Sequence, residues 1–211
     1  MLTLNISDWI IQGVAFLMAL TFHECAHAWA AKKLGDSTAE AEGRLTLNPI
    51  PHIDPVGTVI LPLLAIITHS PFFIGWARPV PINARNFRNP RRGLVWSAAA
   101  GPGMNLALAI LSVLVLKLFL FLGLYTQAIG TLFVSIMLIN VGLAVFNMLP
   151  IPPLDGGTVL TGLLPRKQAY ALSSLEPYGF FIILGLSYFG ILRFVLYYPT
   201  TVILRFLDSL I

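Results

Sequence analysis

The sequence predicts an all-α polytopic membrane protein. It has about four transmembrane helices, a re-entrant or short fifth apolar segment, and a small membrane-associated β-sheet. Three observations support this prediction. Hydrophobic residues make up 57% of the 211 residues and charged residues only 10%, against about 25% in soluble domains. The mean hydropathy is +0.83. Four apolar stretches reach the roughly 20 residues that a helix needs to cross the hydrocarbon core.

The four predicted spans follow one another along most of the chain. In the first, Glu24 is the only full charge between Asp8 and Lys32. The second ends near Lys117, a long side chain that can extend its amine toward the interface. A weaker, interfacial piece follows the fourth span and runs to Ile211. In order, the spans are Trp9–Ala31, Leu94 to about Gly123, about Gln127–Leu149, and about Pro177–Leu196.

The fifth apolar segment, Val56–Thr68, is split by Pro62. Its length of about 13 residues is typical of a re-entrant or buried segment rather than a full span. A tilted span remains the alternative, because Val56–Trp76 contains no Asp, Glu, Lys or Arg.

Basic residues indicate the orientation in the membrane, because cytoplasmic loops are enriched in Lys and Arg. The groups on either side of Val56–Thr68 share the cytoplasmic side only if that segment turns back, and the N-terminus then lies outside. Because these loops account for the net charge of +4, no nucleic-acid partner is expected. The basic residues of these loops are Lys32, Lys33 and Arg44, then Arg78, Arg85, Arg88, Arg91 and Arg92, and finally Arg166 and Lys167.

Two linker pieces predict the small sheet. Arg44–Asn48 alternates polar and apolar residues, and Phe73–Ile82 is rich in aromatic and β-branched residues. Pro79 and Pro81 exclude a central strand position. We therefore expect a small sheet with an open edge, to which an unwound peptide segment can add.

The first span contains the motif His23-Glu24-Cys25-Ala26-His27. On a helix the two histidines are one turn apart and point the same way. They can therefore bind one zinc ion at about 2.0–2.1 Å, with Glu24 beside it as a general base. The alternative is a chance match, but ionisable side chains at membrane depth are costly and usually functional.

A catalytic zinc site needs a third protein ligand. Asp36, Glu40 and Glu42 belong to a polar loop, and Asp54 to a turn. Asp155 follows the third span, where prolines break the helix and paired glycines allow close backbone approach. If Val56–Thr68 turns back, Asp155 emerges on the side of His27. Its alternative role is an N-cap, and the two roles are compatible.

The remaining polar residues have assignments that follow from their positions. Asn147, at the helix break, is predicted to donate to the oxyanion of a tetrahedral intermediate. Asn105 and Asn140 are expected to form interhelical hydrogen bonds. His52 and His69 are interpreted as loop or interface histidines, and Cys25 as a small packing residue.

Six motifs lie along roughly residues 15–165: HECAHA (23–28), GRLTLNP (43–49), HIDPVG (52–57), GWARPVPIN (75–83), AGPGMN (100–105) and NMLPIPPLDGG (147–157). Together and in this order, they resemble the site-2 protease family of intramembrane zinc metalloproteases. The resemblance implies that His23, His27 and Asp155 bind one Zn²⁺ and that Glu24 is the base. It also implies an active site recessed toward the cytoplasmic face that cuts a transmembrane substrate. No PDZ-like insertion is visible, so the compact prokaryotic form is the match.

We therefore expect one integral-membrane metalloprotease domain over residues 1–211, located in the cell (inner) membrane. The motifs lie in about 15–165, and a C-terminal helical segment covers about 177–211. Three other functions are weighed against it. A zinc transporter needs ligands along a path across the bilayer, whereas these residues cluster toward one side. A zinc-binding scaffold needs no base such as Glu24. A peptidase with glutamate as third ligand would rely on Glu176, which lacks the matching sequence around it.

Overall fold

The computed structural model describes residues 6–68 and 75–210. The regular elements in these two ranges are helical, which confirms the all-α prediction. In chain order they are α1 Ile6–Leu34, α2 Thr38–Ala41, α3 Leu61–Ile67, α4 Pro90–Phe121, α5 Gln127–Asn147, α6 Asp155–Leu163, α7 Arg166–Ser173, α8 Gly179–Tyr188 and α9 Ile191–Asp208.

Four helical stretches are long and apolar enough to cross a membrane: Ser7–Leu34, Pro90–Phe121, Gln127–Asn147 and Arg166–Tyr188. The first three lie where the sequence predicts them. The fourth predicted span, Pro177–Leu196, is not one helix, because Gly190 separates α8 from α9 with a φ of 73°. Glycine adopts this left-handed conformation without steric cost.

Helix α9 also departs from the prediction of a weaker interfacial piece. Its Leu207 is buried and packs against Ala109, Val113 and Val141 of α4 and α5. Near the far end of α4, Lys117 donates a hydrogen bond to the Leu210 carbonyl at 2.8 Å. The C-terminal helix is therefore part of the bundle.

Helices α1, α4 and α5 form the centre of the bundle. Small residues at their contacts, among them Ala15, Ala19 and Ala109, are completely buried and allow close approach of the helices. Large apolar side chains such as Leu111, Leu118 and Phe121 point outward and are exposed. This arrangement is typical of membrane helices, where close packing and polar contacts rather than a hydrophobic driving force hold the bundle together.

The fifth apolar segment returns to its starting point. A π-helical turn over Pro55–Ile60 leads into α3, and the two together span about 20 Å at about 1.5 Å per residue. Beyond them, the Trp76 amide donates to the Gly57 carbonyl at 3.2 Å and the Arg78 amide to the His52 carbonyl at 2.9 Å. The segment therefore turns back instead of crossing the bundle.

Residues 83–88 lie beside the C-terminal end of α1. The Arg88 amide donates to the Leu34 carbonyl at 3.2 Å. Asp36, which is completely buried, accepts hydrogen bonds from the Asn83 amide, the Asn86 side chain and Thr38. The basic groups that follow α1 and precede α4 are therefore at the same end of the bundle.

The predicted β-sheet is wrong for the described residues, which contain no strand. Arg44–Asn48 forms turns instead, in which the Asn48 amide donates to Thr46 Oγ1 and the Asn48 side chain accepts from the Ile50 amide. In Phe73–Ile82, residues 73 and 74 lie outside the described ranges. Residues 75–82 form no ladder, because Pro79 and Pro81 have no N–H to donate.

Candidate metal centre

The two histidines of α1 face α4 and are buried. Their Nε2 atoms are 3.0 Å apart, and their rings meet edge to face with centroids 4.6 Å apart. Helical spacing alone brings the rings together, as the motif predicts. They lie in the interior of the bundle and not on a lipid-facing surface.

Asp155, the first residue of α6, completes a cluster of possible metal ligands with His23 and His27. Its Oδ2 is 3.2 Å from His23 Nε2, and its Oδ1 is 3.3 Å from His27 Nε2. The residue is reached through the Pro-rich turn after α5, which breaks the helix and returns the chain toward α1. The sequence pattern 147–157 anticipated this approach.

Two glycines let α6 begin against the end of α5. A Cβ at Gly156 would lie 2.2 Å from the Met148 carbonyl oxygen, and one at Gly157 would lie 2.4 Å from the Pro152 nitrogen. At its other end, α6 is held by Arg91, which donates to the Gly162 and Leu164 carbonyls. The position of Asp155 is thus fixed by backbone packing.

The donor atoms fit a zinc ion. His27 Nδ1 is 2.7 Å from the Ser97 carbonyl, which can only accept, so Nδ1 holds the proton and Nε2 presents its lone pair. A cation between the two imidazole rings and the carboxylate would stabilise this arrangement of donor atoms. A tetrahedral ion with bonds of about 2.0–2.1 Å separates its ligand atoms by about 3.3 Å, close to the distances observed here.

Gly101 of α4 keeps the space beside the histidines open. A Cβ at this position would lie 2.4 Å from His27 Nε2 and 2.7 Å from His23 Cε1. Any other residue would therefore fill the cradle in which an ion would be bound. The motif at 100–105 thus has a steric reason for its first glycine, which sequence analysis did not identify.

Glu24 is buried beside the cluster. Its Oε2 accepts a hydrogen bond of 2.9 Å from the Val80 amide, and Oε1 makes no hydrogen bond within the described ranges. The segment that supplies this amide is anchored on α1, because Ala77 packs against Phe16 and Leu20. The buried Arg44 side chain donates to the Arg78 carbonyl at 2.5 Å. Sequence analysis missed the contact between the Val80 amide and Glu24, because a backbone donor leaves no signature in the residue types.

The other candidate residues lie outside the cluster. Asn147 is half-buried and its side chain makes no hydrogen bond within the described part of the chain. His52 contacts the Thr46 carbonyl at 3.0 Å, consistent with a loop histidine. Asp54 caps the π-helical turn by accepting from the amides of residues 56 and 57. Glu176 is exposed, and His69 is outside the described residues.

Asn105 and Asn140 are completely buried and bonded to each other, with Asn105 Nδ2 donating to Asn140 Oδ1 at 2.7 Å. The predicted interhelical hydrogen bond is therefore confirmed. The structure adds a contact that sequence analysis did not anticipate, because Asn105 Oδ1 is 2.5 Å from His23 Nδ1.

Apolar spans around a buried cluster of two histidines and one carboxylate, with a glutamate beside it, define a polytopic membrane metallohydrolase. Residues 123–186 match the sequence profile of Peptidase family M50. The chain is 37% identical to YwhC of Bacillus subtilis (strain 168), over 82% of this chain and 78% of that one. It is 32% identical to Rip2 of Mycolicibacterium smegmatis, over 84% of this chain and 66% of that one. Both relatives carry the name "putative zinc metalloprotease".

The chain belongs to peptidase family M50, the site-2 protease family. No solved structure matches it significantly. It is a zinc metalloprotease and a multi-pass membrane protein, and its cofactor is zinc.

Proposed function

We propose that this chain is an intramembrane zinc endopeptidase that hydrolyses peptide bonds within or near transmembrane segments of membrane proteins. The observation that supports the proposal most is the convergence of His23, His27 and Asp155 beside Glu24. This convergence lies inside a bundle whose outer face is apolar. A soluble protease has no reason to enclose such a site in membrane-length helices.

In this proposal the zinc ligands are His23 and His27 of α1 and Asp155 of α6, for one ion per chain. When bound there, zinc lowers the pKa of a coordinated water toward about 7 and polarises the scissile carbonyl. The carboxylate charge of Asp155 offsets part of the charge of the ion. The packing of Gly156 and Gly157 keeps that carboxylate in reach of both imidazoles.

Glu24 is assigned as the general base. Its Oε1 takes a proton from the attacking water and later delivers it to the leaving amine. The hydrogen bond from the Val80 amide to Oε2 holds the carboxylate in one orientation, so that Oε1 is the oxygen available to exchange the proton. Orientation of this kind makes a large contribution to rate.

Asn147 is assigned to the oxyanion. Its amide has no partner within the described residues, and it lies eight residues before Asp155, at the end of α5. A free N–H donor near the reacting carbonyl can stabilise the negative charge that develops on the oxygen.

The membrane orientation is part of the proposal. The basic residues that follow α1 and precede α4 are expected in the cytoplasm of the cell, which puts the metal centre toward the cytoplasmic side of the inner membrane. A transmembrane substrate helix buries its carbonyls in hydrogen bonds. It must therefore unwind before one of them reaches Glu24 and the zinc.

The test compares the wild-type protein with Glu24→Gln in liposomes that contain a panel of single-span membrane peptides. The variant keeps the size of the side chain but cannot accept the proton, so we expect cleavage to fall by at least about 10²-fold. Zinc content should be equal in the two proteins. Equal rates of cleavage would refute the protease mechanism. Loss of zinc from Glu24→Gln would refute the assignment of Glu24 as a base that does not bind the ion.

A further inference from the structure

The geometry points to Asn105 and Asn140 as positioning residues: a relay of two buried amides that fixes which nitrogen of His23 faces the metal. The inference rests on the proposed role of His23 as a zinc ligand. It extends the site from α1 and α6 through Asn105 of α4 to Asn140 of α5, which does not contact His23.

The relay consists of three contacts in series, from Ile136 to His23, and a fourth that branches from Asn105. Asn140 Nδ2 donates to the Ile136 carbonyl at 2.8 Å. Asn105 Nδ2 donates to Asn140 Oδ1 at 2.7 Å and to the Ala19 carbonyl at 3.3 Å. Asn105 Oδ1 lies 2.5 Å from His23 Nδ1. Both asparagines are completely buried, so water does not replace these partners.

The direction of every hydrogen bond in the relay follows from its ends. Ile136 and Ala19 offer carbonyl oxygens, which only accept. Asn140 must therefore turn its NH₂ group to Ile136 and its oxygen to Asn105. Asn105 must turn its NH₂ group to that oxygen and its own oxygen to His23. An oxygen facing Nδ1 requires the proton on Nδ1, which leaves Nε2 as the metal ligand.

His27 does not need such a relay. Its Nδ1 meets the Ser97 carbonyl directly at 2.7 Å, and a backbone carbonyl cannot exchange donor for acceptor. A side-chain amide can, by rotating through half a turn. In the reversed orientation the Asn105 NH₂ group would face His23 Nδ1, and the imidazole proton would move to Nε2. Asn140 and the Ala19 carbonyl both oppose this rotation, because it would set Asn105 Oδ1 against each of their oxygens.

The experiment measures zinc affinity by competition with a chromophoric chelator in detergent solution. Asn105→Leu removes the acceptor of His23 and should weaken binding by about 10 to 100-fold. Asn140→Leu leaves that acceptor in place but removes the nearer of the two oxygens that hold the Asn105 NH₂ group, and we expect about 10-fold weaker binding. Met137→Leu, on the same helix and outside the relay, is the control and should bind as the wild type does.

Measuring the effect of Asn140→Leu in a second protein, the Asn105→Asp variant, separates the relay from a merely structural role of Asn140. Asn105→Asp presents an oxygen to His23 in either rotamer, so in this variant the tautomer of His23 no longer depends on Asn140. Adding Asn140→Leu to Asn105→Asp should then change the affinity by less than about threefold, in contrast to its effect alone. A 10-fold loss in both backgrounds would overturn the relay, as would wild-type affinity in Asn140→Leu.

His23→Ala distinguishes failure of the relay from failure of the ligand assignment. Strong loss of zinc in His23→Ala together with unchanged binding in Asn140→Leu would refute the relay alone. Unchanged zinc binding in His23→Ala would refute the ligand assignment and the relay with it. Cleavage by Glu24→Gln, measured separately, tests the protease mechanism independently of both results.

Discussion

The core that contains the proposed metal ligands and the segment that covers it are built differently. The core is α1, α4, α5 and α6, whose contacts are close-packed alanines, glycines and buried amides. The cover is the described part of residues 35–89. Its helices α2 and α3 have 4 and 7 residues, and several of its apolar side chains, such as Val56 and Leu63, are exposed.

The two regions also contribute different atoms to the site. The core supplies all three proposed metal ligands and the room between them, whereas the cover supplies the Val80 amide that contacts Glu24. The cover is attached to the core by contacts such as the hydrogen bond from the Arg88 amide to the Leu34 carbonyl and the packing of Ala77 on α1. Within the cover, hydrogen bonds to Asp36 hold its two ends together. Metal binding should therefore depend on the core, and turnover on the core and the cover together.

The largest effect is expected for Gly101→Ala in the core. The added methyl group would lie 2.4 Å from His27 Nε2, so the imidazoles or α4 must shift and the ion loses its space. We expect loss of bound zinc and of cleavage. Gly103→Ala is the matched control two residues away, because a Cβ there has no neighbour within 4 Å. Normal zinc content in Gly101→Ala would contradict the proposed position of the ion.

A smaller effect is expected for Val80→Pro in the cover. Proline lacks the N–H that orients Glu24, and both flanking residues are already prolines. Misorientation of a catalytic group costs about 10²-fold in rate, so we expect that loss in kcat with zinc content unchanged. Val80→Ala keeps the N–H and should retain most of the activity. Loss of zinc from Val80→Pro would show that core and cover are not separable.

The smallest effect is expected for Asp36→Ala, which breaks the link between the two ends of the cover. Buried donors left without an acceptor cost about 2 kcal/mol, so local opening should become about thirtyfold more frequent. Trypsin should cut after Arg85 and Arg88 correspondingly faster. Glu40→Ala, which removes an exposed ion pair with Lys32, should leave the rate unchanged within about twofold. Equal rates for both variants would refute the role of Asp36.

The link that Asp36 forms within the cover also predicts a dependence of stability on pH. Burial by itself would raise the pKa of this carboxyl, but hydrogen bonds from Thr38, Asn86 and Asn83 outweigh it and lower the pKa below 3.8. The stabilisation is therefore complete above pH of about 4 and is lost as the pH falls further. The difference in unfolding midpoint between wild type and Asp36→Asn should shrink below that pH. A difference that grows on acidification would contradict this sign.

The sequence predicted the core better than the cover. Helical spacing places His23 and His27 together whatever the surroundings, and the prolines and glycines at 150–157 predict the return of Asp155. The length of the apolar runs predicts α1, α4 and α5, because a membrane-spanning segment must satisfy its backbone hydrogen bonds internally and is therefore helical.

The cover was predicted less well because its contacts depend on the tertiary structure. The alternation in Arg44–Asn48 has the period of a strand, yet local side-chain hydrogen bonds form turns there instead. The Val80 amide is a backbone atom, which no residue type identifies. Outside the cover, the fourth predicted span was also wrong, because its apolar composition predicts one helix and Gly190 interrupts it.

The most direct test of the central claim is the zinc content of the purified protein and of Asp155→Ala. We expect one zinc per chain in the wild type and a large loss in Asp155→Ala, because two imidazoles alone hold the ion weakly. Glu176→Ala, which removes the rival third ligand, should keep its zinc. Full occupancy in Asp155→Ala would contradict the account and would require another residue as the third ligand.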